Sequence, residues 1–207
     1  MKSKVNTQSF NIDSDFTLYK TSFLDENAKH NLISKNDEKF LFEKHIYDSL
    51  AIKLFFEKYD IKSAKILDIG CGGGFPCLPV AIECSEMDIT GIDSIQKKIN
   101  SVQAIVDNLG LKNLKLICNR VENLKNEKFD IVISRAVADM AKISDYALPL
   151  VKSGGYFIAY KSKKALEELK NAKSTLKKHK AELIDIIEYT LPLDEVYERN
   201  LVCIKKS

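Results

Sequence analysis

One stretch constrains the fold more than any other: Lys65-Ile66-Leu67-Asp68-Ile69-Gly70-Cys71-Gly72-Gly73-Gly74-Phe75-Pro76. Ile66, Leu67 and Ile69 read as a short buried strand. Glycines at 70, 72, 73 and 74 follow, which lets the chain turn tightly and lets a ligand approach bare backbone. Pro76 and Pro79 with Leu78, Val80, Ala81 and Ile82 then read as a helix start, where a missing N–H costs nothing. Strand, glycine loop and helix together predict an α/β fold with a nucleotide-type site at the carboxyl end of its first strand.

The ligand class can be narrowed. The dinucleotide fingerprint G-x-G-x-x-G fails, because its third glycine would fall on Phe75 or Cys77. A G-x-x-x-x-G-K-[ST] phosphate loop is absent too. The pattern present is Asp68, Gly70, Gly72, Gly74, with the acid two residues before the first glycine. A carboxylate there repels a pyrophosphate and suits a cationic ligand. S-adenosylmethionine, with a sulfonium, an ammonium and no phosphate, fits. The plainer alternative is a structural glycine turn with Asp68 as a local cap.

From residue 64 onward strands and helices alternate, implying a mostly parallel sheet. Strands are expected at 66–69, 87–92, 114–118, 129–133, 156–160, 181–191 and 200–205, the last two as an antiparallel, hairpin-like pair. A helix from Ser94, capped by that residue, carries Ile95, Ile99, Val102, Ile105, Val106 and Leu109 to a stop at Gly110. A second helix is expected over 139–151, stopped by Gly154-Gly155, and a basic one over 163–180. Residues 1–60 lack a strand pattern and read as a helical amino-terminal extension with a loop over 31–37; residues 61–207 form the main domain. The fold expected is a Rossmann-like α/β sheet of seven strands flanked by helices.

With 207 residues, 45% hydrophobic and 29% charged, the chain can bury a real core. No apolar run approaches the 18 or so residues of a membrane span, and Met1-Lys2-Ser3-Lys4 opens no secretory signal. The five cysteines show no C-x-x-C pair or zinc spacing, so reduced thiols in a cytoplasm and no metal site are expected. A net charge of +3 permits a nucleic-acid partner without demanding one.

Candidate functional residues lie at strand ends. Asp93, closing the second strand, can accept both ribose hydroxyls of an adenosine; otherwise it is a helix N-terminal acid. Val121 and Glu122, after the third strand, are placed to border an adenine edge. Arg135, after the fourth, offers a planar fork to a ligand, or an ion pair to Asp68 or Glu122. Lys161, Lys163 and Lys164 can hold RNA phosphates or form a solvated face. His45 and Asp48 share a helical face and read as a hydrogen-bonded structural pair.

These residues resemble the bacterial 16S ribosomal RNA guanine-N7 methyltransferases, the RsmG (GidB) family of class I S-adenosylmethionine-dependent enzymes. The resemblance runs from about Asn31 to Leu169. It rests on Asn31-Leu32-Ile33-Ser34, on Lys44-His45-Ile46-Tyr47-Asp48-Ser49-Leu50, on the glycine loop with its Phe75-Pro76 extension, and on Ser134-Arg135-Ala136. It implies cofactor contacts at Gly70, Phe75, Asp93, Val121, Glu122 and Arg135, with Arg135 positioning the acceptor and no general base. The implied partner is 16S rRNA or a small-subunit particle, with no membrane and a monomer as the default. Cys71, Gly73 and Cys77 depart from the family pattern. A small-molecule methyltransferase on the same fold, or a catalytically silent RNA-binding protein, are the alternatives.

Overall fold

The computed structural model describes residues 10–124 and 127–207. The first residues of the amino-terminal extension, and Lys125 and Asn126 ahead of the fourth strand, lie outside them. The chain opens with α1 (Thr17–His30), α2 (Lys35–Glu38), a π-helical segment (Leu41–Tyr47), α3 (Asp48–Leu50) and α4 (Ile52–Lys58). It continues through β1 (Ala64–Ile69), α5 (Cys77–Glu83), β2 (Met87–Asp93), α6 (Gln96–Leu109) and β3 (Leu114–Cys118). A 3-10 turn (Val121–Asn123) leads to β4 (Phe129–Arg135) and α7 (Met140–Ala147). A second 3-10 turn (Leu148–Leu150) leads to β5 (Val151–Ser162), α8 (Ala165–Lys178), β6 (Ala181–Leu191) and β7 (Tyr197–Lys206).

The seven strands form one sheet in the order β3-β2-β1-β4-β5-β7-β6. Strands β3, β2, β1, β4 and β5 run parallel; β7 enters antiparallel between β5 and β6. Alternation along each strand feeds two cores. Ile66, Ile131, Ile133 and Ile158 face the amino-terminal helices, α5 and α6. Leu67, Ile69, Val132 and Phe157 face α7 and α8. Asp68 therefore points to the α5 side, the same side as Ile66.

Several expected boundaries move, each for a local reason. Ile95, not Ser94, is the N-cap of α6, because Asp93 Oδ1 takes the Ile95 N–H at 2.9 Å. The helix expected over 139–151 ends at Ala147, and a 3-10 turn holding Pro149 follows. Gly154 and Gly155 do not stop a helix; they lie within β5, where a side chain on Gly155 would sit 2.6 Å from the Asp130 carbonyl oxygen. The expected loop at 31–37 contains the start of α2, capped by Ser34, whose Oγ accepts the Asp37 N–H. The amphipathic run beginning at Phe40 opens as a π segment, with one more residue per turn than an α-helix allows. That segment buries Leu41 and Ile46 and turns Lys44, His45 and Asp48 toward the end of β4.

Candidate active site

A cavity of about 650 Å³ opens over the carboxyl ends of β1, β2 and β4 and the turn after β3. Parallel strands ending together, with their loops splaying to opposite faces, produce such a crevice. Gly70, Gly72, Phe75, Asp93, Val121, Glu122 and Arg135, seven of the nine expected contacts, line it. Asp68 and Gly74 do not.

The glycine loop is built by two different constraints. Gly70 has φ +72, and a side chain there would run into Val137 at 2.5 Å. Gly74 has φ +91, and a side chain there would run into Leu78 at 2.4 Å, so its role is packing below the loop rather than ligand contact. Asp68 is likewise interior. It is fully buried, and its Oδ2 accepts the Cys77 N–H at 3.0 Å, tying β1 to the first turn of α5. The local-cap reading therefore describes its geometry. Burial, the first cause, pushes its carboxyl up to about 7, and Oδ1 has no partner. Cys71 and Cys77 face Gly91 of β2, where a side chain would lie 3.3 and 3.2 Å from their sulfurs. A glycine in β2 thus makes room for both thiols.

Asp93 joins the loop to the second strand. Its Oδ2 accepts the Gly72 N–H at 2.9 Å while Oδ1 accepts the Ile95 N–H just before α6. A carboxylate has about four lone-pair sites, so two remain for a ligand. One loop amide that could otherwise meet a phosphate is thereby occupied.

Arg135 stands at the opposite end of the cavity. Its partner is neither Asp68 nor Glu122. Nη1 donates to Asp48 Oδ2 at 2.9 Å and to the Lys44 carbonyl at 3.2 Å, and the guanidinium lies 5.1 Å from the Phe75 ring centroid. Nη2 stands 3.2 Å from His45 Nδ1. Guanidinium only donates, so this contact makes Nδ1 the acceptor and the ring neutral. Burial and the neighbouring arginine charge push the His45 pKa down to about 4, in agreement. The side chains of His45 and Asp48 are thus not bonded to each other; both bond Arg135.

The sequence reading missed Leu32, Ile33, Lys98, Lys142 and Tyr146, which also line the cavity. Leu32 and Ile33 carried a signal, an apolar pair inside a polar loop. Asn27 Oδ1 pins Ile33 by its N–H at 2.7 Å, and Leu32 Cβ lies 3.1 Å from where a Gly73 side chain would begin. Of the three lysines expected to meet RNA, Lys161 is committed elsewhere. It is largely buried and donates to Glu168 Oε2 at 2.7 Å and to the Ala138 carbonyl at 2.6 Å. Lys163 and Lys164 are exposed.

Comparison with known proteins places this geometry. The fold resembles the ribosomal protein L11 methylase of Lactobacillus delbrueckii subsp. bulgaricus, with a TM-score of 0.59, 12% identity and 79% of each chain covered. It also resembles M. jannaschii TYW2, solved in complex with AdoMet, with a TM-score of 0.57, 16% identity and 70% of each chain covered. A curated relative, "Ribosomal RNA small subunit methyltransferase G" of Clostridium novyi, is 40% identical over 92% of this chain and 79% of its own. The GidB family profile, described as rRNA small subunit methyltransferase G, matches residues 12–201. This chain belongs to the GidB family.

Proposed function

We propose that this protein transfers a methyl group from S-adenosylmethionine to N7 of one guanine in small-subunit ribosomal RNA. The observation that carries the cofactor is the Asp93–Gly72 bond: the loop amide is spent on a carboxylate, so the cavity centre favours ribose hydroxyls over a pyrophosphate. The family and its rRNA-methylating relatives support the acceptor.

The residues present fit the cofactor. Asp93 retains acceptor sites for a ribose, and Val121 and Glu122 border the far end for an adenine. The charge of Arg135 is matched by Asp48, and His45 is neutral, so neither side chain repels a sulfonium. When bound, the cofactor supplies an electrophilic methyl carbon. N7 of guanine carries an in-plane lone pair and no proton, so no side chain has to remove one. The protein's part is to orient the ring and exclude water. Arg135, held on three sides, is placed to bond guanine O6 or a neighbouring phosphate.

We read residues 1–60 as an amino-terminal extension, helical over its described part, that completes this cavity, and the protein as a cytoplasmic monomer. All five cysteines are free, and among the described residues no helix is long and apolar enough to cross a membrane. Mass spectrometry of ribosomal RNA from a deletion strain tests the function. Loss of one 7-methylguanosine is expected. Unchanged RNA with an accumulated metabolite would point to a small-molecule acceptor, and no chemical change would point to a silent RNA-binding protein.

A further inference from the structure

A second cavity, of about 250 Å³, opens between the start of α8 and the β6–β7 hairpin. Leu166, Ile186 and Tyr189 give it apolar walls, and Lys163, Arg199 and Asn200 give it polar ones. Leu166 is 62% exposed although it is a large apolar side chain. Lys163 makes no ion pair among the described residues. Nothing in the fold explains this pairing of an exposed leucine with an unpaired lysine.

The position of the cavity is informative. Asp48, almost fully buried, stands between it and the cofactor cavity. Oδ2 of Asp48 accepts Arg135, which lines the first cavity; Oδ1 accepts the Tyr189 hydroxyl at 2.7 Å and lies 3.8 Å from Arg199 Nε, both lining the second. One carboxylate therefore orients two arginines into two neighbouring cavities. The volume suits a single nucleotide and is far too small for a duplex. Two acids, Glu188 and Glu198, also line it and offset its cations, so free phosphate alone is poorly matched. A base bearing an exocyclic amino group can donate to those carboxylates.

We propose that this cavity takes a nucleotide flanking the acceptor guanine in the same RNA chain. Its base packs on Leu166 and Ile186, and its phosphate lies at Lys163 and Arg199. Unstacked, splayed nucleotides are how single-stranded RNA segments are read, and a guanine presented to the first cavity leaves its neighbour free to enter another. The inference rests on the rRNA-methyltransferase reading above and adds a second point of attachment to it.

The test uses the full-length protein and small-subunit rRNA from a strain lacking the enzyme. Lys163→Ala should weaken RNA binding and lower the slope of log affinity against log salt by about one. Leu166→Glu, at an exposed position, should weaken RNA binding about tenfold. Both variants should keep wild-type S-adenosylmethionine affinity and melting temperature. Wild-type RNA affinity and salt slope in both variants would overturn the subsite while leaving the methyltransferase reading intact. A wild-type protein that neither binds nor methylates this RNA would instead overturn the reading on which the subsite rests.

Discussion

Arg135 Nη1 lies 2.9 Å from Asp48 Oδ2, a bond between the end of β4 and the residue that follows the π segment. The two side chains are 15% and 7% exposed, so this is a buried ion pair. Breaking such a pair by removing one partner leaves an uncompensated charge and costs about 3–5 kcal/mol. Asp48→Ala should therefore lower stability by about that amount. Asp48→Asn, which can still accept from Arg135, should lose less. Thermal and urea unfolding would measure both, and equal, small losses would show that the pair adds nothing.

Asp93→Ala should weaken S-adenosylmethionine binding about 10- to 150-fold, the value of charge-assisted hydrogen bonds worth roughly 1.5–3 kcal/mol. The substitution also frees the Gly72 and Ile95 amides that Asp93 holds. Asp93→Asn can still accept one of those amides, so it separates the ribose contribution from loop support. Calorimetry with circular dichroism on the same samples is the check; wild-type affinity in folded Asp93→Ala would remove Asp93 from the ribose site.

The single-turnover methylation rate, at saturating cofactor and RNA, should be nearly flat from about pH 6 to 8.5, because a required base would show its pKa in that profile. His45, with its pKa pushed down to about 4, stays neutral across this range. His45→Ala should keep substantial chemistry, whereas Arg135→Ala should lose most of it. A rate that climbs tenfold per pH unit would point to an acceptor nitrogen that must shed a proton.

Asp68 does titrate in that range, near pH 7, but it lies beneath the loop rather than in the cavity. Its folded pKa is raised from 3.8, so the native state binds the proton more tightly than the unfolded chain. Its contribution to stability is greatest at low pH and declines as pH rises from about 4 to about 7. Asp68→Asn removes that decline. The melting temperature of the variant relative to wild type should rise with pH up to about 7 and then level off. A constant difference from pH 5 to 8 would show that Asp68 does not carry the raised pKa.

Lys161 separates from its neighbours. Lys161→Ala breaks its bonds to Glu168 and Ala138 and should lower stability without changing the salt slope of RNA binding. Lys164→Ala should leave the melting temperature unchanged. A Lys161→Ala protein with wild-type stability and a flattened slope would return Lys161 to the RNA interface.

What could be read from the chain alone follows from how local each signal is. The alternation of apolar strands and glycine-bounded helices is written in neighbouring residues, so all seven strands and the loop after β1 were legible. That Asp93, Val121 and Glu122 line one cavity was legible because strand ends in a parallel sheet share one edge. The fate of Asp68 was not, since which side of a strand meets a helix's first turn depends on the packing of α5. Arg135 lines the cavity as expected, but neither carboxylate weighed as its alternative partner holds it. The partner it has, Asp48, lies 87 residues away, just after a π segment whose winding no α-helical spacing anticipates. Gly154-Gly155 misled because a glycine pair reads as a helix stop, whereas here it admits the Asp130 carbonyl.

The sheet order β5-β7-β6 carries a consequence for the timing of synthesis. Strands β1 to β5 leave the ribosome in sequence, and each pairs with a strand that has emerged with it or before it. β6 emerges next with no neighbour to join, because the place beside β5 belongs to β7. Only when β7 follows does the hairpin close the edge, bringing Tyr189 and Arg199 to Asp48. Every residue that lines the first cavity therefore precedes in the chain those that line the second, and the last strand synthesised is the one that completes the second.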